Sequence, residues 1–170
     1  MANEILSALE YDPGAGALSF KGVRYLLVRP ETIMGLYRAI SVDSPDKAGD
    51  LFFRAGFVGG RLSAQKYKEV FSLGDQALVA YMARMGGQLG WGRFDLVSLD
   101  MEKKELEVAV YNSPFASAHG PSGVPVCHFI RGVLAGVGKE IFQSRGDSLE
   151  KTCMAIGDSN CLFQVKGGLP

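Results

Sequence analysis

Glu150-Lys151-Thr152-Cys153-Met154-Ala155-Ile156-Gly157-Asp158-Ser159-Asn160-Cys161-Leu162-Phe163 is the stretch on which the fold turns. Gly157-Asp158-Ser159-Asn160 is turn chemistry, because Gly tolerates positive φ and Asp, Ser and Asn bond their own backbone. A final hairpin is therefore expected, with strands over Thr152–Ile156 and Cys161–Val165. Side-chain direction alternates along a strand, so Cys153 and Cys161 share a face only across a loop with an odd number of residues, commonly three or five. Glu150 precedes Cys153 by an odd step, and an ideal strand would point it away. It joins the two sulfurs only if the chain bends before the strand.

The third cysteine, Cys127, lies 26 residues before Cys153. Its segment opens with Pro125 and carries Cys127, Ile130, Leu134, Val137 and Ile141 at steps of three and four. That spacing predicts an amphipathic helix over 125–142, with Pro in the first turn. Gly132 and Gly136 form a small-xxx-small pair that permits close backbone approach. Cys127 then sits in the first turn, where the helix dipole favours thiolate. Three thiolates and one carboxylate satisfy a tetrahedral metal. The bland alternative is three small buried hydrophobes, which is common for free Cys. The C-x2-C signature is absent. His128 is a rival fourth ligand, but it points about 100° away from Cys127 on a helix.

Upstream, Arg93–Asn112 reads as an antiparallel hairpin turning at Met101–Lys104. Phe94, Leu96 and Ser98 share one face and Val97 and Leu99 the other, and Leu106, Val108 and Val110 alternate with Glu105, Glu107 and Ala109. Asn112–Val124 is expected to be a loop, long for a compact domain and open to a functional role. Further back, Asp12-Pro13-Gly14-Ala15-Gly16 marks a turn in a small meander over 7–29. A helix begins at Pro30 with Ile33, Leu36, Tyr37 and Ile40 on its apolar face, and a second runs from Pro45 to about Phe71. The second contains Gly49, Gly56, Gly59 and Gly60, each costing a helix ~1 kcal/mol relative to Ala. A third covers about 75–88. There are no internal repeats, charge blocks or linkers.

The composition fits one globular domain over 1–170: 47% apolar, 21% charged, 22 Gly. Eighteen basic residues balance eighteen acidic ones. That balance argues against a non-specific nucleic-acid binder and against a polybasic membrane anchor. No apolar run reaches the ~18 residues of a membrane span. Met1-Ala2-Asn3-Glu4 has an acid where a secretory leader needs bases, which predicts a cytoplasmic protein with reduced thiols.

The segment Gly123-Val124-Pro125-Val126-Cys127-His128-Phe129-Ile130-Arg131-Gly132 resembles the "PVC-H/W-x-x-x-G" helix start of the 4-vinyl-reductase domain family. The stretch from Glu150 to Phe163 is similar to that family's "E-x-x-C-x-x-x-G-x-x-x-C-x-F" ending, and Val110-Tyr111-Asn112-Ser113 to its strand ending in "(N/D)-S". The resemblance is best over 93–165. It implies an α/β (α+β) fold with an antiparallel sheet packed with helices, as in nitric-oxide-signalling and Golgi-transport ligand-binding domains. It also implies a homodimer, and a structural zinc held by Cys127, Glu150, Cys153 and Cys161. Such a closed ligand set leaves no open position for catalysis at the metal. The family binds small hydrophobic molecules beside this site. Val110 matches a position where aromatic-sensing members carry a pocket Trp. Val108, Val110, Phe115, Ile130 and Leu134 are the candidate lining residues, with ordinary core packing as the alternative.

Three functions compete. The first is a zinc-containing domain that binds a hydrophobic or aromatic ligand, a sensor or carrier acting through a downstream protein partner. The second is a tetrapyrrole vinyl reductase or its accessory. The third is a non-catalytic scaffold dimer. No catalytic residues emerge. Gly14-Ala15-Gly16-Ala17-Leu18-Ser19 precedes a strand and lacks the third Gly of a dinucleotide site. Gly138-Lys139-Glu140 has Glu where a phosphate loop needs Ser or Thr. Only two histidines are present, His119 and His128, and neither belongs to an evident Ser/His/Asp set.

Overall fold

The structure, a computed structural model, describes residues 3–144 and 146–168. Met1 and Ala2, on which the leader reading partly rests, lie outside them. The fold is mixed α/β, with antiparallel sheets packed against helices. A short helix α1 (Glu4–Ser7) leads into the expected meander, β1 (Glu10–Asp12), β2 (Ala17–Phe20) and β3 (Val23–Tyr25), an antiparallel three-stranded sheet. Then come α2 (Pro30–Asp43), α3 (Pro45–Phe71) and α4 (Asp75–Gln88). The C-terminal part contains β4 (Arg93–Asp100), β5 (Glu105–Tyr111), α5 (Pro114–His119), α6 (His128–Phe142), β6 (Gly146–Thr152) and β7 (Cys161–Gly167). Its four strands form one antiparallel sheet in the order β4-β5-β7-β6.

Helix α6 lies between this sheet and α3, which explains both its composition and the glycines of α3. Ile130, Leu134, Val137 and Ile141 are buried as the periodicity requires, and so are Gly132, Ala135, Gly136 and Gly138 on its other sides. A methyl group at Gly132 would be driven into the carbonyl of Phe53, and one at Gly56 into the carbonyl of Phe129. The two helices therefore touch backbone to backbone. The helix propensity lost at these glycines is the cost of that contact.

Several boundaries differ from the sequence expectation. The buried residue of α2 is Met34, whereas Leu36 is exposed. On β4 a bulge between Leu96 and Ser98 re-phases the strand, so that Leu99 pairs with Leu106 and joins the Phe94 face. The supposed loop contains α5: Ser113 caps it by accepting the amide of Ala116, and Pro114 occupies N1. Helix α6 starts at His128 rather than Pro125, which makes Cys127 its N-cap instead of a first-turn residue. Among the described residues, no helix is long and apolar enough to cross a membrane.

Candidate metal centre and adjoining cavity

The last hairpin differs most from expectation, and the difference builds the site. Its first strand ends at Thr152, and Met154–Ile156 form a short 3-10 turn closed by Gly157 at φ 110°. Asp158 clips this turn by accepting the amide of Cys153 at 2.8 Å. Thr152 pairs with Leu162, so Cys153 and Cys161, the next residue on each strand, face the same way. Glu150 pairs with Phe163, so Lys151 is an extra residue in a bulge. That bulge is the bend the parity argument demands: it returns Glu150 to the face of Cys153. Without it one of the two would point to solvent.

Cys127, Glu150, Cys153 and Cys161 are all buried, and their potential ligand atoms lie within 4.8 Å of one another. The Cys127 and Cys161 sulfurs are 3.6 Å apart. A tetrahedral ion with ~2.3 Å bonds to sulfur has sulfur–sulfur edges of about 3.8 Å. The amide of Cys127 donates to Glu150 Oε2 at 3.0 Å, leaving Glu150 Oε1 buried with no protein partner among the described residues. An orphaned buried carboxylate oxygen costs free energy, and a cation at the centre would satisfy it. The surrounding shell is also in place. The amide of Met154 donates to Cys161 Sγ at 3.4 Å, and the Ser113 hydroxyl lies 3.4 Å from Cys127 Sγ. Ser113 is a member of the site that sequence reasoning misses. Its signal is a Ser-Pro helix start, readable only as a cap.

Metal-free, the four groups cannot all ionise. Hydrogen bonds from Cys127 and Cys161 hold the Cys153 thiol far below its ordinary range. Cys127 is pushed far up by its hydrogen bonds with Cys153 and Cys161 and by burial. Cys161 is pushed up to about 12: its bond with Cys127 lowers it, but the bond with Cys153 and burial outweigh that. Burial pushes Glu150 up to about 8. The cluster thus settles on one thiolate shared among three sulfurs. A dication would let all four deprotonate. His128, the rival ligand, is outside the cluster: its ring stacks on Tyr37 at 5.8 Å, and burial lowers it to about 4.

Two residues along β5 from Val110, the partner of Cys161, the sheet borders a cavity of about 160 Å³. Helices α3, α4 and α6 close it from the other sides, with Tyr67, Met85, Phe129 and Val137 among the lining residues, and Tyr25 reaches it from β3. Of the candidate lining residues, Val108 and Leu134 reach the cavity. Val110 and Ile130 are fully buried but do not line it. Phe115 stands behind it, edge-on to the lining residue Trp91 at 5.9 Å and tilted against Phe129 at 5.7 Å. Sequence reasoning also misses Tyr25, Tyr67 and Trp91, because aromatic residues in weakly patterned segments carry no mark of what they enclose.

The family model of the 4-vinyl-reductase domain matches residues 106–167, the part that runs from β5 through the whole cluster. Residues 106–167 form a 4-vinyl-reductase domain. An uncharacterised protein of Methanocaldococcus jannaschii is 29% identical over 75 residues, a match spanning 44% of each chain. The chain thus covers less than half the length of that relative. Among solved structures, the phenol-responsive sensory domain of the transcription activator PoxR, determined with phenol, superposes with a TM-score of 0.84 at 19% identity, over 96% of this chain and 86% of that one. A trafficking protein particle complex subunit 3 from Naegleria fowleri, covalently bound to palmitic acid, superposes with a TM-score of 0.56 at 13% identity, over 82% of this chain and 95% of that one. The 4-vinyl-reductase segment therefore sits in the fold shared by nitric-oxide-signalling and Golgi-transport ligand-binding domains.

Proposed function

We propose that this chain is a small-molecule-binding domain that takes one neutral, hydrophobic or aromatic ligand into the cavity beside a structural zinc. The cavity carries this reading. Its volume, about 160 Å³, is that of a site for a single aromatic ring, since an engineered apolar cavity of ~150 Å³ binds benzene. Every residue lining it is uncharged. Zinc fits the Cys127, Glu150, Cys153 and Cys161 set because three thiolates and one carboxylate, all buried, suit a soft tetrahedral ion and leave no position for a reacting water. The 4-vinyl-reductase relationship and the PoxR sensory domain, which holds phenol, agree with this reading.

The zinc pins α6 to the last hairpin, and α6 forms one wall of the cavity. Metal binding and pocket shape are therefore linked through one helix. A tetrapyrrole, with four such rings, exceeds this cavity, which disfavours the vinyl-reductase reading. Exposed apolar side chains along the N-terminal part, such as Leu27, Val42 and Val58, support a homodimer or a protein partner that receives the signal. With reduced thiols the protein would act in the cytoplasm.

Native mass spectrometry of the full chain tests the proposal. It predicts one zinc per chain, and a mass increment when toluene or phenol is added. A chain with neither zinc nor uptake of a neutral ring would contradict it.

A further inference from the structure

The cavity wall is apolar except for a few groups, and two of them meet. Tyr25 on β3 and Tyr67 on α3 both line the cavity, and their hydroxyls are hydrogen-bonded to each other across 42 positions of sequence. Each tyrosine hydroxyl has one proton and two lone pairs. When one hydroxyl donates to the other, the second still has its own proton to give. Among the described residues, that proton has no protein acceptor. Tyr67 is 1% exposed, so water does not replace the missing partner freely. Burial raises both phenols above their ordinary range, which keeps them protonated as donors. A hydroxyl that already accepts a hydrogen bond is also a stronger donor.

We infer that the Tyr25–Tyr67 hydroxyl pair is the polar anchor of the cavity, selecting a neutral single-ring ligand that carries one hydrogen-bond-accepting oxygen. This rests on the ligand-binding reading above and narrows it. An ionised ligand is excluded, because none of the lining residues offers a counter-charge and desolvation would go uncompensated. A purely hydrocarbon ring fits but leaves the spare proton unpaired. An oxygen on the ring accepts it. Ser63 and Trp91 also reach the cavity, so removal of the pair separates its contribution from theirs.

The test is equilibrium binding of phenol, toluene and benzoate to the full chain and to the Tyr25→Phe/Tyr67→Phe double variant. The wild type should prefer phenol to toluene by roughly 2- to 10-fold, the range of one hydrogen bond, and should reject benzoate. The double variant should keep toluene and lose the preference. A preference that survives in the double variant overturns the assignment, as does benzoate binding comparable to phenol. If toluene and phenol bind the wild type equally, the pocket stands and only the anchor falls. If neither neutral ring binds, the ligand-binding reading falls with it. Because the double variant loses a hydrogen bond between two elements and its folding is at risk, a second measurement uses the wild type carrying 13Cζ-labelled tyrosine. Phenol should move the Tyr25 and Tyr67 signals by more than toluene does, and equal shifts from both ligands contradict the proposal.

Discussion

The metal cluster and the apolar cavity adjoin one strand, β5, one bordering Val110 and the other Val108, yet they are built on opposite terms. The cluster is polar, closed and made from rare residue types whose side chains have few other uses in a buried place. The cavity is apolar, and it is made from residues that would fill any core. The first is held by local devices: the bulge at Lys151, the 3-10 turn and the Asp158 clip. The second exists only because three helices and a strand are held at fixed distances. The comparison teaches that the cluster sets the frame and the cavity is what the frame leaves unfilled.

The largest effect that would break this division is loss of a metal ligand. Apparent binding free energies of structural zinc in finger peptides are ~10–16 kcal/mol, as large as the whole ~5–15 kcal/mol stability of a domain. Cys161→Ala should therefore abolish metal content and lower the thermal midpoint by roughly 10 °C or more, read by circular dichroism. A metal-free variant with unchanged melting would show that the ion does not hold the frame.

Acidification should do the same without mutation. In the metal-free fold Glu150 is pushed up to about 8 and Cys161 up to about 12, so both are protonated near neutral pH, and metal entry must expel those protons. Metal affinity therefore rises with pH and falls as pH drops below about 8. Competition with a chromogenic chelator across roughly pH 5–8 should show progressively easier release toward acid. Release that is independent of pH would contradict the ligand assignment.

A smaller effect is expected at the contact that positions α6. Gly132→Ala places a methyl group against the carbonyl of Phe53 and should cost about 1–3 kcal/mol by overpacking, measured as a urea midpoint shift. Zinc content should remain, because the cluster lies at the end of α6 and not along this face.

The smallest change in stability, and the sharpest separation of the two regions, is expected from Val137→Phe, which fills the cavity. It should stay within ~1 kcal/mol of the wild type and keep its metal, since it occupies existing space. Toluene binding should disappear. Retained binding would place the ligand elsewhere.

Much of the C-terminal part is legible in the sequence for the same reason that it is rigid. Cys127, Glu150, Cys153 and Cys161 are conspicuous as residue types, and strand parity by itself demands a bend near Glu150. Parity does not choose between a bend outside the strand and a bulge within it, because both satisfy alternation. The glycines of α3 look like faults in a helix until Gly132 and Gly136 on α6 supply their partner, a tertiary contact that local propensity does not encode. Val108 and Leu134 reach the cavity as expected, but Tyr25, Tyr67 and Trp91 are invisible as wall residues. An empty space has no sequence pattern of its own.

Metal analysis combined with zinc-edge X-ray absorption on freshly purified, unchelated protein tests the central claim most directly. The account predicts one zinc per chain, with three sulfur neighbours at ~2.3 Å and one oxygen at ~2.0–2.2 Å. A folded protein without zinc, or zinc bound mainly by nitrogen or by fewer than three sulfurs, would contradict it.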